Sequence, residues 1–128
     1  MIIVDASVVI AHLDASNPRH DRAEGLLLGV DEEQLGASPL TLAELLVGPA
    51  RTGRLDQAAA ALSQLGVAPV KLTDNAPLRL ARLRAGTGLK LPDCCVLLAA
   101  EQSGGAVATL DRRLAAVAAD HGLLVRRR

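Results

Sequence analysis

Met1-Ile2-Ile3-Val4-Asp5 sets three β-branched residues directly against an acid. Such side chains favour an extended backbone, so residues 2–4 read as a short strand with Asp5 at its carboxyl end. Working outward, residues 35–38, 70–72, 107–109 and 123–125 are further short extended candidates. Helical patterns fill the intervals. Residues 21–28 give the first, and Ser38-Pro39, an N-cap followed by proline at the first helical position, opens the second, expected to stop near Val47 before Gly48-Pro49. Residues 55–65 place Leu55, Ala58, Ala59, Leu62 and Leu65 on one helical face, with Gly66 as the stop. Helices over 75–85, 93–101 and 111–120 complete the pattern. Short strands alternating with helices are the mark of a parallel sheet covered on both faces, so the fold class is α/β, a three-layer α/β/α domain with a short, mainly parallel sheet.

The 128 residues fit one domain spanning 1–128. Half the residues are hydrophobic and 22% are charged, which excludes a disordered chain. The longest apolar runs, such as Val96-Leu97-Leu98-Ala99-Ala100, fall far short of the roughly 20 residues a membrane span requires. No membrane partner is expected. The first residues carry no basic segment and meet an acid where a signal peptide needs an apolar stretch, so a cytoplasmic location is expected. Cys94 and Cys95 are adjacent and fit no metal spacing; they read as packed, reduced thiols. Residues 31–33 read as a charged loop and 126–128 as a frayed basic end.

Fourteen basic and fourteen acidic side chains balance, which argues against a protein that coats nucleic acid by bulk charge. The absence of Phe, Tyr and Trp removes the usual platforms for stacking bases. Any nucleic-acid substrate would be held through phosphates, arginine planes and metal.

Functional groups of open parallel sheets collect beyond the carboxyl ends of the strands. Asp5 ends the first strand there, Glu44 lies on the helix after the second, Asp93 begins a helix after a glycine-rich loop, and Asp111 follows the fourth strand. Each is embedded among apolar residues, and no Lys or Arg stands beside Asp5 or Glu44 in sequence. Taken singly, Asp5 also suits a strand-end turn, Glu44 a partly exposed helix position, and Asp93 and Asp111 helix N-caps. Acids bound for one apolar setting are costly unless paired or holding a metal. Converging carboxylates without His or Cys suit Mg²⁺ or Mn²⁺, and such a site suits phosphodiester hydrolysis.

Four segments together, Val4-Asp5-Ala6-Ser7-Val8-Val9-Ile10, Thr41-Leu42-Ala43-Glu44-Leu45, Leu91-Pro92-Asp93-Cys94-Cys95-Val96 and Thr109-Leu110-Asp111-Arg112-Arg113-Leu114, resemble a PIN-domain ribonuclease, specifically a VapC-type toxin of a toxin–antitoxin (VapBC) system. The resemblance implies a PIN fold and a Mg²⁺- or Mn²⁺-dependent endoribonuclease. It maps the metal-binding acids onto Asp5, Glu44, Asp93 and Asp111, with Asp5 and Asp93 the most direct ligands. Ser7 and Thr109 match hydroxyl positions that orient water or an acid. It further implies an RNA substrate, a VapB-like antitoxin, and a homodimer or toxin–antitoxin hetero-oligomer. Leu114 stands where family members often carry an aromatic.

Arg79, Arg82, Arg84 and Lys90 can line an RNA path or form a solvated helix face, and Arg112 and Arg113 flank Asp111. His12, His20 and His121 show no paired ligand spacing and read as surface or packing residues. The helical pair over 40–65 offers Leu42, Leu46, Val47, Leu55 and Leu62, apolar surface enough for a partner helix or for packing on the sheet. Other functions fit less well. A haloacid-dehalogenase phosphatase wants a second Asp where Ser7 stands, a receiver module wants an early acidic pair, and a Rossmann binder wants a glycine motif after its strand, whereas Gly104-Gly105 precedes one. A catalytically inactive PIN-like RNA- or protein-binding module is the remaining alternative.

Overall fold

A computed structural model describes residues 1–28 and 33–126. Asp31 and Glu32 of the expected charged loop, and Arg127 and Arg128 of the basic end, lie outside the described residues. The elements run β1 (Ile2–Val4), α1 (Ala6–Leu13), α2 (His20–Leu28), β2 (Leu35–Ala37), α3 (Pro39–Arg51), α4 (Leu55–Leu65), β3 (Val67–Pro69), α5 (Ala76–Thr87), α6 (Leu91–Ser103), β4 (Ala106–Ala108) and α7 (Arg112–Asp120). The sheet is wholly parallel in the order β3-β2-β1-β4. This is the expected three-layer α/β/α architecture.

Strand side chains alternate between faces. Ile2 and Val4 therefore join Val8 and Val9 of α1, Ala23 of α2 and Leu62 of α4 in one core. Ile3 and Val107 face the other way, against Leu97 of α6 and Leu114 and Ala118 of α7. Leu114 is fully buried in this second core, so the position fills the packing role of a larger apolar side chain without an aromatic ring. In α6 every residue from Cys94 to Ala100 is buried, because the helix is covered on all sides.

Several boundaries depart from the sequence reading. Residues 6–13 are helical although Val8-Val9-Ile10 is a β-branched run. Asp5 caps the helix by accepting from the Val8 N–H, and burying Val8 and Val9 outweighs their weak helical preference. Helix α3 passes through Pro49 to Arg51 instead of stopping near Val47. The third strand lies at Val67–Pro69, three residues before the expected 70–72. Gly66 ends α4 with φ of +84°, a left-handed turn open to glycine, and the chain pairs with β2 at once. Pro69 is tolerated because β3 is an edge strand. The expected strand at 123–125 amounts to one bridge between Leu124 and Val107. Helices α5 and α6 also extend further than expected, to Thr87 and from Leu91.

Candidate metal centre

The ends of β1 and β4 are sewn together by side chains. Asp5, only 5% exposed, accepts at Oδ1 from Ser7 Oγ (2.7 Å) and from the Val8 N–H (3.2 Å), and at Oδ2 from Thr109 Oγ1. Ser7 Oγ in turn accepts from the Leu110 N–H (3.1 Å), and Thr109 Oγ1 from the Asp111 N–H (3.0 Å). Asp111 caps α7, accepting from the Leu114 N–H at 2.8 Å. A carboxylate holds about four acceptor positions, so Asp5 retains capacity toward a further ligand.

Ser38 caps α3 through the Thr41 N–H (3.1 Å), which starts the helix at the carboxyl end of β2. From there Thr41 and Glu44, one helical turn apart, face the same opening. The α5–α6 connection ends at Lys90, and Asp93 follows in the first turn of α6. These parts line a cleft of about 210 Å³ that includes Asp5, Ser7, Thr41, Glu44, Asp93 and Asp111. All four acids singled out in the sequence thus meet at one opening, and Lys90 is the one cationic side chain in its wall among the described residues.

Partial burial of Asp93 pushes its carboxyl pKa above the ordinary value, and the nearby carboxylates of Asp111, Asp5 and Glu44 push in the same direction, with Lys90 opposing. No Lys or Arg forms an ion pair with any of the four acids among the described residues. The donor set is oxygen only, carboxylates with hydroxyls and no imidazole or thiol, which fits a hard divalent cation. Cys94 and Cys95 are free and buried. Burial, and next the Asp93 carboxylate for Cys94 and the neighbouring thiol for Cys95, raises both thiol pKa values. Raised, buried thiols are poor ligands and nucleophiles.

Two features escaped the sequence reading. Thr41 is buried in the cleft wall, and only its place one turn before Glu44 hinted at that. His12 and His20 stack with ring centroids 6.5 Å apart, both against Glu24, while His20 Nδ1 donates to the Ala11 carbonyl (2.8 Å). The cluster ties α1 to α2 away from the cleft, a packing role in keeping with the sequence expectation for these two residues. His121, the C-cap of α7, meets the Val117 carbonyl through Nδ1 among the described residues.

The parallel sheet and the acid-lined cleft beyond its strand ends define the class, an open α/β domain with a polar site at the carboxyl edge of the sheet. The sequence model of the PIN domain family matches residues 2–120, and the chain belongs to that family. Among solved structures it resembles VapC20 of Mycobacterium tuberculosis, a sarcin-ricin-loop-cleaving toxin, with a TM-score of 0.75, 18% identity and 100% coverage of both chains. A toxin–antitoxin complex from Klebsiella pneumoniae matches with a TM-score of 0.64 and 21% identity over 84% of this chain and 83% of the other. VapBC2 of Rickettsia felis, bound to a promoter DNA fragment, gives 0.60 and 16% over 87% and 88%. A comparison with curated protein sequences finds no match. No helix among the described residues is long and apolar enough to cross a membrane.

Proposed function

We propose that the chain is a metal-dependent endoribonuclease toxin of a toxin–antitoxin pair, hydrolysing RNA phosphodiester bonds at Asp5, Glu44, Asp93 and Asp111. One observation carries this reading: four carboxylates from distant parts of the chain line one cleft, and none of them forms an ion pair among the described residues. Asp5 and Asp93 would hold Mg²⁺ or Mn²⁺ most directly, with Glu44 and Asp111 acting through water. No three His, Cys, Asp or Glu side chains among the described residues form a ready-made metal cage. Mg²⁺ keeps several waters and uses one or two carboxylates plus substrate phosphate, so Asp5 and Asp93 would be its direct ligands and water and phosphate would complete the site. When bound, the cation supplies positive charge to phosphoryl oxygens and acidifies water.

The protein's own share is positioning. Ser7 and Thr109 fix the Asp5 carboxylate, so its orientation needs no rearrangement when the ligand arrives. Thr41 and Glu44 add to the lining from the capped helix α3. The toxin reading draws further support from the likeness to VapC20 and to the two toxin–antitoxin structures.

For the antitoxin, Val9, Ile10 and Leu13 of α1 with Leu45, Ala61 and Leu62 of the α3–α4 pair line an apolar groove of about 210 Å³. Ile10 and Leu13 are each 52% exposed there, surface that suits the apolar face of a VapB-like helix. The chain would act in the cytoplasm, as a homodimer or within a toxin–antitoxin hetero-oligomer. Incubating purified protein with structured RNA and Mn²⁺ is expected to produce discrete cleavage that EDTA abolishes. Intact RNA in the presence of metal would leave a non-catalytic binding module as the better reading.

A further inference from the structure

The cleft contains an unpaired cation as well as unpaired anions. Lys90 lines the same wall as the four acids, is exposed, and forms no ion pair among the described residues. A lysine is a compact charge on a flexible four-carbon stem and can close onto a nearby carboxylate or reach a ligand at the mouth of the cleft. Here it does not close, although its charge is felt at Asp93.

Its backbone, by contrast, is tightly held. Thr87 Oγ1 donates to the Leu83 carbonyl (2.6 Å) and accepts from the Leu89 N–H (3.1 Å). Arg84 Nη1 donates to the Leu89 carbonyl at 2.7 Å, and Leu89 itself is only 2% exposed, anchored in the second core. Gly88 turns the chain with φ of +73°, and a Cβ built there would lie 2.8 Å from Arg113 Nη2, so Arg113 reaches across from α7 onto the same loop. Arg113 also lacks an ion pair among the described residues.

Acids lacking a cation and one lysine lacking an anion therefore share one opening, with Arg113 against the neighbouring loop at Gly88. A phosphodiester accompanied by a divalent ion satisfies both at once, because its oxygens accept from the ammonium while the ion answers the carboxylates. We infer that Lys90, with Arg113 beside it, forms a phosphate-binding rim on the α5–α6 loop that holds the RNA backbone at the edge of the acidic cleft. This deepens the nuclease reading and rests on it for the identity of the substrate. Because Lys90 is the one cationic side chain in the cleft wall among the described residues, the strand is gripped from the α5–α6 loop.

The contact can be measured without catalysis. Binding of a short fluorescein-labelled oligouridine is followed by anisotropy with Ca²⁺ in place of Mn²⁺, so that the acids have their cation, across a range of KCl, for the full-length chain and for Lys90→Gln, Lys90→Arg and Arg22→Gln. Losing one phosphate contact lowers the slope of log affinity against log salt by about 0.7 for a single strand. Lys90→Gln is expected to show that change and about tenfold weaker binding at low salt. Lys90→Arg is expected to keep both, and Arg22→Gln, on α2, to match the parent. An unchanged slope in Lys90→Gln, an equal loss in Arg22→Gln, or no binding by the parent overturns the rim. Cleavage with Mn²⁺ separates this from the underlying reading. Cleavage with an unaltered Lys90→Gln slope removes the rim and keeps the nuclease, whereas a Lys90-dependent slope without cleavage removes the nuclease and keeps an RNA-binding rim.

Discussion

Asp5 and Asp93 look into the same cleft from differently built walls. Asp5 sits almost fully buried at the end of β1, and its carboxylate accepts from Ser7, Val8 and Thr109. Asp93, in the first turn of α6, accepts no hydrogen bond from the described residues, and its pKa is raised by burial and by three neighbouring carboxylates. On one wall the acid is part of the scaffold that joins β1 to β4. On the other it is an anion kept at a cost, which makes sense if a ligand offsets that cost. Stability and activity should therefore separate between the two walls.

The largest effect is expected at Asp5. Asp5→Ala removes the cap of α1 and leaves the Thr109 and Ser7 hydroxyls without their acceptor, and should cost about 3 kcal/mol by urea denaturation along with all metal-dependent cleavage. A loss confined to activity would show that the hydrogen-bonded wall does not support the fold. Thr109→Val comes next. It deletes one hydroxyl that both donates to Asp5 and accepts from Asp111, with an expected cost of about 1–2 kcal/mol and cleavage reduced about tenfold through a looser Asp5.

Asp93→Asn should behave in the opposite sense. A carboxyl whose folded pKa lies above its unfolded value gives stability that is fully present below the ordinary carboxylate range and is lost as pH rises through the raised value. Metal-free parent protein should thus lose this contribution on going from acid to neutral pH, and Asp93→Asn should not. At neutral pH the metal-free variant is expected to be as stable as the parent or more so, yet inactive. Denaturation midpoints across that pH range check the sign, and a clear destabilisation of Asp93→Asn would erase the contrast between the walls. The smallest effect is expected outside the cleft. The partly exposed pair of Arg79 with Glu101 joins α5 to α6, and Arg79→Gln should cost less than about 1 kcal/mol with cleavage unchanged.

The sequence showed the Asp5 and Asp111 side most clearly, because strand ends and helix caps leave local marks: a β-branched run before Asp5, a helical pattern after Asp111. Glu44 was readable from the Ser38-Pro39 helix start that precedes it. The convergence of the four acids was not local information, since it depends on the order β3-β2-β1-β4 bringing separate strand ends together. Helix α1 was obscured by Val8-Val9-Ile10, whose extended preference is overridden by a cap and by burial. The position of β3 depended on how tightly Gly66 turns the chain, and the His12, His20 and Glu24 cluster on two helices packing side by side, neither of which a periodicity reveals. Lys90 could be placed near Asp93 in sequence, but only the fold shows that it stands unpaired.

The most direct test of the acidic cleft is calorimetric titration of Mn²⁺ into EDTA-stripped protein, run in parallel on Asp93→Asn. Saturable binding by the parent that is lost or greatly weakened in the folded variant is the expected result. Equal binding by the two proteins, or none by either, would contradict a metal centre at Asp5, Glu44, Asp93 and Asp111.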